Sequence, residues 1–141
     1  MKPKVLLRIA AALMLLHAIG HTMGTLGFGQ PKNPRVAAVL DGMRSEHFDF
    51  MGRSATLAQF FDGYGVSLIF VLLFVSVQLW LLSANPAKQM LVGMGLFLTV
   101  TAVCEYIYFF PMAALFTLLS AVCVWVALFR LRHSESIEKR F

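Results

Sequence analysis

Long apolar blocks alternate with shorter polar connections along this chain, and four blocks reach the length of a membrane-spanning helix. The blocks cover residues 5–27, 60–83, 86–110 and 112–129. A helix needs roughly 20 apolar residues, each rising about 1.5 Å, to cross the hydrocarbon core of a bilayer. The pattern therefore predicts an all-α protein, a four-helix transmembrane bundle that forms a single membrane domain over residues 1–141.

The boundaries of these blocks carry turn signals. Asn85 and Pro86 supply an N-cap and a first-turn proline for the third span, and Pro111 separates the third span from the fourth. The connection between the first two spans, residues 29–59, is much longer than the other two. We therefore expect it to contain structure of its own.

This long connection shows the one-sided apolar period of an amphipathic helix. Asn33 and Pro34 repeat the helix-start signal. The apolar face follows the spacing i, i+3, i+4, i+7 and continues through Val36, Val39, Leu40, Met43, His47 and Phe50. Ser54 can cap a further helix that runs into the second span. The pattern predicts a short amphipathic helix in an external connection.

Composition excludes an ordinary soluble domain. Hydrophobic residues make up 59% of the chain, charged residues 13%, and the mean hydropathy is +0.76. A soluble domain of 141 residues does not have enough interior to bury that much apolar surface. The run that follows the N-terminal lysines is longer than the apolar region of a signal peptide, so we interpret it as a span.

The basic residues predict the orientation. Eight lie at the N-terminus, in the second connection and at the C-terminus: Lys2, Lys4, Arg8, Lys88, Arg130, Arg132, Lys139 and Arg140. Four lie in the first connection: Lys32, Arg35, Arg44 and Arg53. The positive-inside rule then puts both termini in the cytoplasm and the long connection outside. The net charge of +5 follows from this topology, so we expect no nucleic-acid partner.

Two histidines within the first apolar block raise the question of function. Histidine is rare inside membrane spans and marks candidate functional sites there. At 100° per residue, Gly20, His21 and Gly24 lie within about 60° of His17, so the four residues share one helical face. We expect this face to point into the bundle.

A second polar stripe lies on the third span, where Thr101, Glu105 and Tyr108 share a face. A charged carboxylate at mid-span costs roughly 2.5 to 3.5 kcal/mol on insertion scales, so we expect Glu105 either to pair with His17 or His21 or to be protonated. The prediction is an outward-opening pocket in which His17, His21 and Glu105 are the catalytic candidates. The other candidate ligand contacts are Tyr108, Thr101, Asp62, Tyr64 and His47, with Glu46 and Asp49 beside His47 in the connection.

Two alternatives stay open for the same residues. Histidines at i and i+4 with a carboxylate are a possible metal-ligand set, His17, His21 and Glu105, although the spacing alone identifies no metal and no cofactor. The structural alternative treats Gly20 and Gly24 as a helix-packing pair. The histidines then serve as hydrogen-bond donors between helices.

Three short segments resemble those of a family of small bacterial four-span integral membrane proteins that have Gly-His-Thr-x-Gly on the first span. The segments are residues 20–24, 61–65 and 109–111, with the sequences GHTMG, FDGYG and FFP. The resemblance implies the four-span fold and marks the histidine and the glycine-aromatic entry to the second span as hallmarks. It implies no activity. With the charge balance, it implies a multi-pass protein of the bacterial inner membrane.

Three classes of function follow. The first is a membrane protein that binds or transforms a hydrophobic, lipid-like small molecule, with Glu105 and a histidine as acid and base if it is an enzyme. The second is a non-catalytic scaffold or accessory subunit that forms an oligomer. The third is a small-molecule transporter. The expected partners are the lipid bilayer, a hydrophobic small molecule and further copies of the chain.

Overall fold

The computed structural model describes residues 1–27, 31 and 33–138. The expected start of the long connection, Gly29, lies outside the described residues. The elements are α1 Pro3–Gly27, α2 Pro34–Ser45, β1 His47–Phe50, β2 Arg53–Thr56, α3 Leu57–Ala84, α4 Lys88–Tyr108 and α5 Pro111–Glu138. Within the described ranges, α1, α3, α4 and the segment Pro111–Ser134 of α5 are long and apolar enough to cross a membrane.

The chain divides into two compact units. One contains residues 1–18 and 72–141, and the other contains residues 19–71. The first holds most of α1, the second half of α3, and all of α4 and α5. The other holds the end of α1, the connection and the first half of α3. Each unit has its own packing and its own polar groups.

In the unit of residues 1–18 and 72–141, α4 and α5 pack closely along their lengths. Gly95 of α4 makes this possible, because a Cβ atom there would lie 2.8 Å from Cε2 of Trp125. The indole Nε1–H of Trp125 donates a hydrogen bond of 3.1 Å to the hydroxyl of Thr99. Among the fully buried core side chains of this unit are Leu7, Met14, Leu72, Leu79, Leu91, Leu98 and Val124.

In the unit of residues 19–71, an antiparallel hairpin leads directly into α3. Its turn is formed by Met51 at φ 51° and Gly52 at φ 82°. Positive φ at both central residues suits the right-handed twist of a two-residue hairpin. The pairing sets Phe48 opposite Ala55 and Phe50 opposite Arg53, so these four side chains share one face.

The hairpin corrects part of the expected helix in the connection. The predicted helix is present at Pro34–Ser45, and the side chain of Asn33 caps it by accepting a hydrogen bond from the N–H of Arg35. His47 and Phe50, however, lie in β1 and do not continue the helix. In His47–Phe50 the apolar residues also alternate with polar ones, and this period of two places both phenylalanines on one face of a strand.

Two predicted helix starts were also wrong. Ser54 lies in β2, and α3 begins only at Leu57, where Thr56 and Gln59 form a capping box with bonds of 3.0 and 3.2 Å. The third span begins at Lys88 after Ala87, two residues later than the Asn85-Pro86 signal indicates. A residue before proline favours extended backbone, which suits the reversal between two antiparallel helices.

Candidate functional site

The unit of residues 1–18 and 72–141 encloses a polar cluster formed by His17, Glu105 and Thr117. Nε2 of His17 lies 3.8 Å from Oε1 of Glu105, and Nδ1 lies 3.1 Å from Oγ1 of Thr117. His17 and Glu105 are each 5% exposed, and Thr117 is fully buried. The ring of Phe116 stacks beside the imidazole at a centroid distance of 6.3 Å. The cluster thus joins α1, α4 and α5 in a closed interior.

The net charge of the His17–Glu105 pair depends on how many protons the two side chains hold together. An imidazolium beside a carboxylate and a neutral imidazole beside a carboxylic acid both have zero net charge and hold the same number of protons. A net charge in an interior of low dielectric is costly, so a neutral pair is the stable composition. At 3.8 Å the two atoms are close enough for electrostatic attraction but too far apart for a direct hydrogen bond. The pair therefore stabilises the contact between α1 and α4, and this structural role does not require a catalytic activity.

His21 belongs to the other unit and has a different partner. Its Nε2 lies 2.9 Å from the carbonyl oxygen of Gly65 in α3. A carbonyl oxygen only accepts hydrogen bonds, so Nε2 must carry the proton and donate it. The hydroxyl of Thr25 donates to the carbonyl of His21 at 3.0 Å, and its oxygen lies 3.4 Å from the same Nε2. His21 is thus a donor between helices, a role common among polar residues in membrane bundles.

Gly20 and Gly24, the predicted helix-packing pair, make no close contact with another helix among the described residues, and packing against a further copy stays a prediction. Both residues are exposed, and a Cβ added to either would meet no atom within 4 Å. The close approaches occur at Gly95 and at Gly65, where a Cβ would lie 3.0 Å from Cγ2 of Thr25. Spacing on one helix does not reveal which face a neighbouring helix covers.

The remaining predicted site residues are all less buried than His17 and Glu105. Thr101 is half-buried, while Tyr108 is the last residue of α4 and is 78% exposed. Asp62 and His47 are exposed, and Nδ1–H of His47 donates to the carbonyl of Ser45 at 3.0 Å. Within the described residues, no three His, Cys, Asp or Glu side chains are placed to hold a metal ion. The alternative metal set of His17, His21 and Glu105 is therefore not assembled there.

The unit of residues 19–71 contains an open groove with a volume of about 300 Å³. We call it the α3 groove, and it is lined by Arg53, Ala55, Gln59, Phe60, Gly63, Tyr64 and Ser67. Of these, the sequence had singled out only Tyr64 as a ligand contact. Gln59, Gly63 and Ser67 follow a helical row at i, i+4 and i+8, and Phe60 lies in the adjacent row with Tyr64. Such spacing shows that residues share a helix face, but not whether that face is covered by the rest of the protein.

One wall of the α3 groove is fixed by aromatic contacts. The ring of Phe60 stacks on Phe48 at 5.7 Å and meets Phe50 edge-on at 5.5 Å, both distances between ring centroids. Phe48 and Phe50 share the hairpin face with Arg53 and Ala55, which also line the groove. The hairpin and the first turns of α3 are therefore held together around the groove.

The α3 groove changes character along its length. At the hairpin end it is lined by Arg53, a cationic residue. From there it follows α3 past the level of Asp62, the one charged residue of this helix, to Ser67, about 7.5 Å further along the axis. A groove that runs from a charged segment into an uncharged apolar helix is suited to an amphiphilic molecule.

Comparisons with known proteins gave no match. The chain matches no family model, no curated protein and no solved structure.

Proposed function

We propose that this chain is a multi-pass membrane protein that binds a hydrophobic, lipid-like small molecule in the α3 groove. The observation that carries the proposal is the groove itself, about 300 Å³ in volume and lined by both hairpin and helix residues. That volume lies at the lower end of the range for small-molecule sites, and the site is concave with a few polar groups, as such sites are. An open groove beside an apolar helix admits a ligand from within the bilayer.

The proposed setting is a bacterial inner membrane, with α1, α3, α4 and α5 as the four spans. The excess of Lys and Arg near the termini supports cytoplasmic termini. The segment containing α2 and the hairpin then lies on the outer side of the membrane. The α3 groove begins at the hairpin and continues into α3, so it would be open to lipids of the outer leaflet.

The proposal is binding without a catalytic step. His17 and Glu105, the acid and base candidates, are each 5% exposed. A substrate could reach them only if α1, α4 and α5 separated, which would break the core contacts that surround them. The same closed cluster favours the second candidate function, a scaffold whose polar residues serve only to hold helices together.

The experiment compares Gly63→Leu with Gly93→Leu in the purified, full-length protein. A Cβ at either glycine would meet no atom within 4 Å, but only Gly63 lines the α3 groove. We expect added membrane lipid extract to stabilise the wild type and Gly93→Leu by about 5 °C or more at saturation, and Gly63→Leu by much less. Thermal unfolding in detergent gives the shift, and native mass spectrometry identifies the lipid retained.

Two outcomes contradict the proposal. If the lipid extract leaves the melting temperature of the wild type unchanged, the groove is not a lipid site and the scaffold becomes the better assignment. If Gly63→Leu retains the same lipids as Gly93→Leu with the same stabilisation, lipid binds elsewhere on the chain.

A further inference from the structure

The cationic end of the α3 groove allows the class of ligand to be narrowed, an inference that rests on the proposed function. Arg53 is exposed and lines the groove. Among the residues that the structure describes, no carboxylate forms an ion pair with it. A guanidinium keeps its charge at any physiological pH and presents a planar fork of N–H donors. This end of the groove is therefore a positive site with donor capacity left for a ligand.

The hairpin and α3, which together line the groove, each contain one carboxylate, and neither lies on the groove face. Asp49 pairs with Ser54 in the hairpin register, so it lies on the hairpin face opposite to Arg53. Asp62 is on α3, but at 100° per residue it lies roughly 130° from the centre of the groove face. Arg53 thus lines the groove without an ion pair to either carboxylate, and a ligand can neutralise its charge.

The rest of the lining suits the body of an amphiphile. Phe60 provides an apolar wall, Gly63 leaves space, and Tyr64 and Ser67 offer hydroxyl groups further along. The capping box at the start of α3 uses the amide oxygen of Gln59 as acceptor. The amide NH₂ group of Gln59, in the first turn of α3, is then left as a donor for a ligand. The cationic side chain therefore belongs to the hairpin end of the groove, and the lining further along α3 is uncharged.

We infer that the α3 groove takes a membrane lipid with an anionic phosphate headgroup. The phosphate lies against Arg53, where a bidentate charge-assisted pair with the guanidinium forms. The acyl chain follows Phe60 and Gly63 towards Ser67. The same groove binds a zwitterionic lipid less well, because a choline group brings a second positive charge towards Arg53. An uncharged diacylglycerol lacks the phosphate altogether and offers only neutral ester and hydroxyl oxygens.

The experiment measures lipid preference in the full-length protein in detergent. The probes are phosphatidylglycerol, phosphatidylcholine and diacylglycerol with identical acyl chains, and native mass spectrometry measures the bound fraction. We expect phosphatidylglycerol to bind about tenfold more tightly than diacylglycerol, with phosphatidylcholine between them. Arg53→Gln should remove this preference, and Arg53→Lys should keep part of it because the charge remains while the fork is lost.

Arg44→Gln is the matched control, because Arg44 is also an exposed cation of the connection but does not line the groove. It should keep the wild-type preference. If Arg44→Gln and Arg53→Gln weaken phosphatidylglycerol binding equally, the preference comes from general surface charge and the inference fails. It also fails if the wild type binds phosphatidylglycerol and diacylglycerol with the same affinity.

A further arm uses inorganic phosphate as competitor at constant ionic strength. The inference predicts that phosphate displaces little lipid, because it lacks the acyl chain that fills the groove. If phosphate binds Arg53 and displaces the lipid completely, the site is for a free anion and the lipid assignment fails. Failure of the headgroup inference is distinct from failure of the proposed function, since Gly63→Leu reduces binding of all three lipids whatever Arg53 contributes.

Discussion

The His17–Glu105 cluster of one unit and the α3 groove of the other differ in how their polar side chains are used. In residues 1–18 and 72–141, polar side chains turn towards neighbouring helices: Ser76 and Ser120 donate to carbonyls of α1, and His17 lies between Thr117 and Glu105. In residues 19–71, the polar side chains of the α3 groove are exposed around an open volume. The difference shows that a polar residue in an apolar helix is not by itself evidence for a ligand site. What matters is whether its polar atoms already interact with other groups of the protein.

The largest expected effect comes from breaking the closed cluster. Glu105→Leu removes one member of a buried pair, which costs on the order of 3 kcal/mol, and His17→Leu should cost a similar amount. The double variant leaves no buried charge behind, so we expect it to be much less destabilised than the sum of the two. Unfolding in mixed micelles with increasing dodecyl sulfate, followed by circular dichroism, measures all four free energies.

Glu46→Ala is the control for the loss of a carboxyl group, because Glu46 is exposed at the end of α2. It should change the free energy of unfolding by no more than about 0.5 kcal/mol. If the effects of His17→Leu and Glu105→Leu simply add, the two side chains are not coupled. The contrast between a closed cluster and an open groove would then lose its energetic basis.

A smaller effect on the free energy of unfolding is expected when two glycines of α4, two residues apart, are replaced. A Cβ at Gly95 would lie 2.8 Å from the Trp125 ring, whereas one at Gly93 would meet no atom within 4 Å. Gly95→Ala should therefore lower the free energy of unfolding by about 1 to 3 kcal/mol through overpacking. Gly93→Ala should be neutral or raise it by up to about 1 kcal/mol, because alanine is the better helix former. Equal effects would contradict the close contact between α4 and α5.

The parts of the fold that depend on local rules were predictable from the sequence. The apolar blocks predicted the long helices, because their length matches the hydrocarbon thickness. The start of α2 was predictable because Asn33 caps the helix through its own side chain. The contact between His17 and Glu105 was expected for a similar reason, since a carboxylate inside an apolar bundle needs a partner.

The hairpin and the α3 groove were missed because they depend on tertiary contacts. His47–Phe50 fits both a helical and a strand period, and its pairing with Arg53–Thr56 decides between them. The groove exists because Phe60 is held by two hairpin rings while Gly63 and Ser67 beside it stay uncovered. Sequence spacing shows which residues share a face, but the neighbours of that face are set by the whole chain.

The smallest expected effect comes from His21, whose hydrogen bond we expect to be independent of the α3 groove. His21→Ala removes the hydrogen bond to the Gly65 carbonyl, and polar contacts between membrane helices average about 0.6 kcal/mol with a maximum near 1.7 kcal/mol. Gly65 lies roughly 170° around α3 from the centre of the groove face. The stabilisation that lipid gives should therefore be unchanged in this variant.

His47→Ala is the matched control, because it also removes an imidazole that donates to a backbone carbonyl, but at an exposed position. It should change the free energy of unfolding by less than His21→Ala does. The informative outcome is a His21→Ala protein that keeps its fold and melting temperature but no longer responds to lipid. Ligand binding would then depend on the contact between His21 of α1 and Gly65 of α3. The division between structural and ligand-binding polar groups within this unit would be wrong.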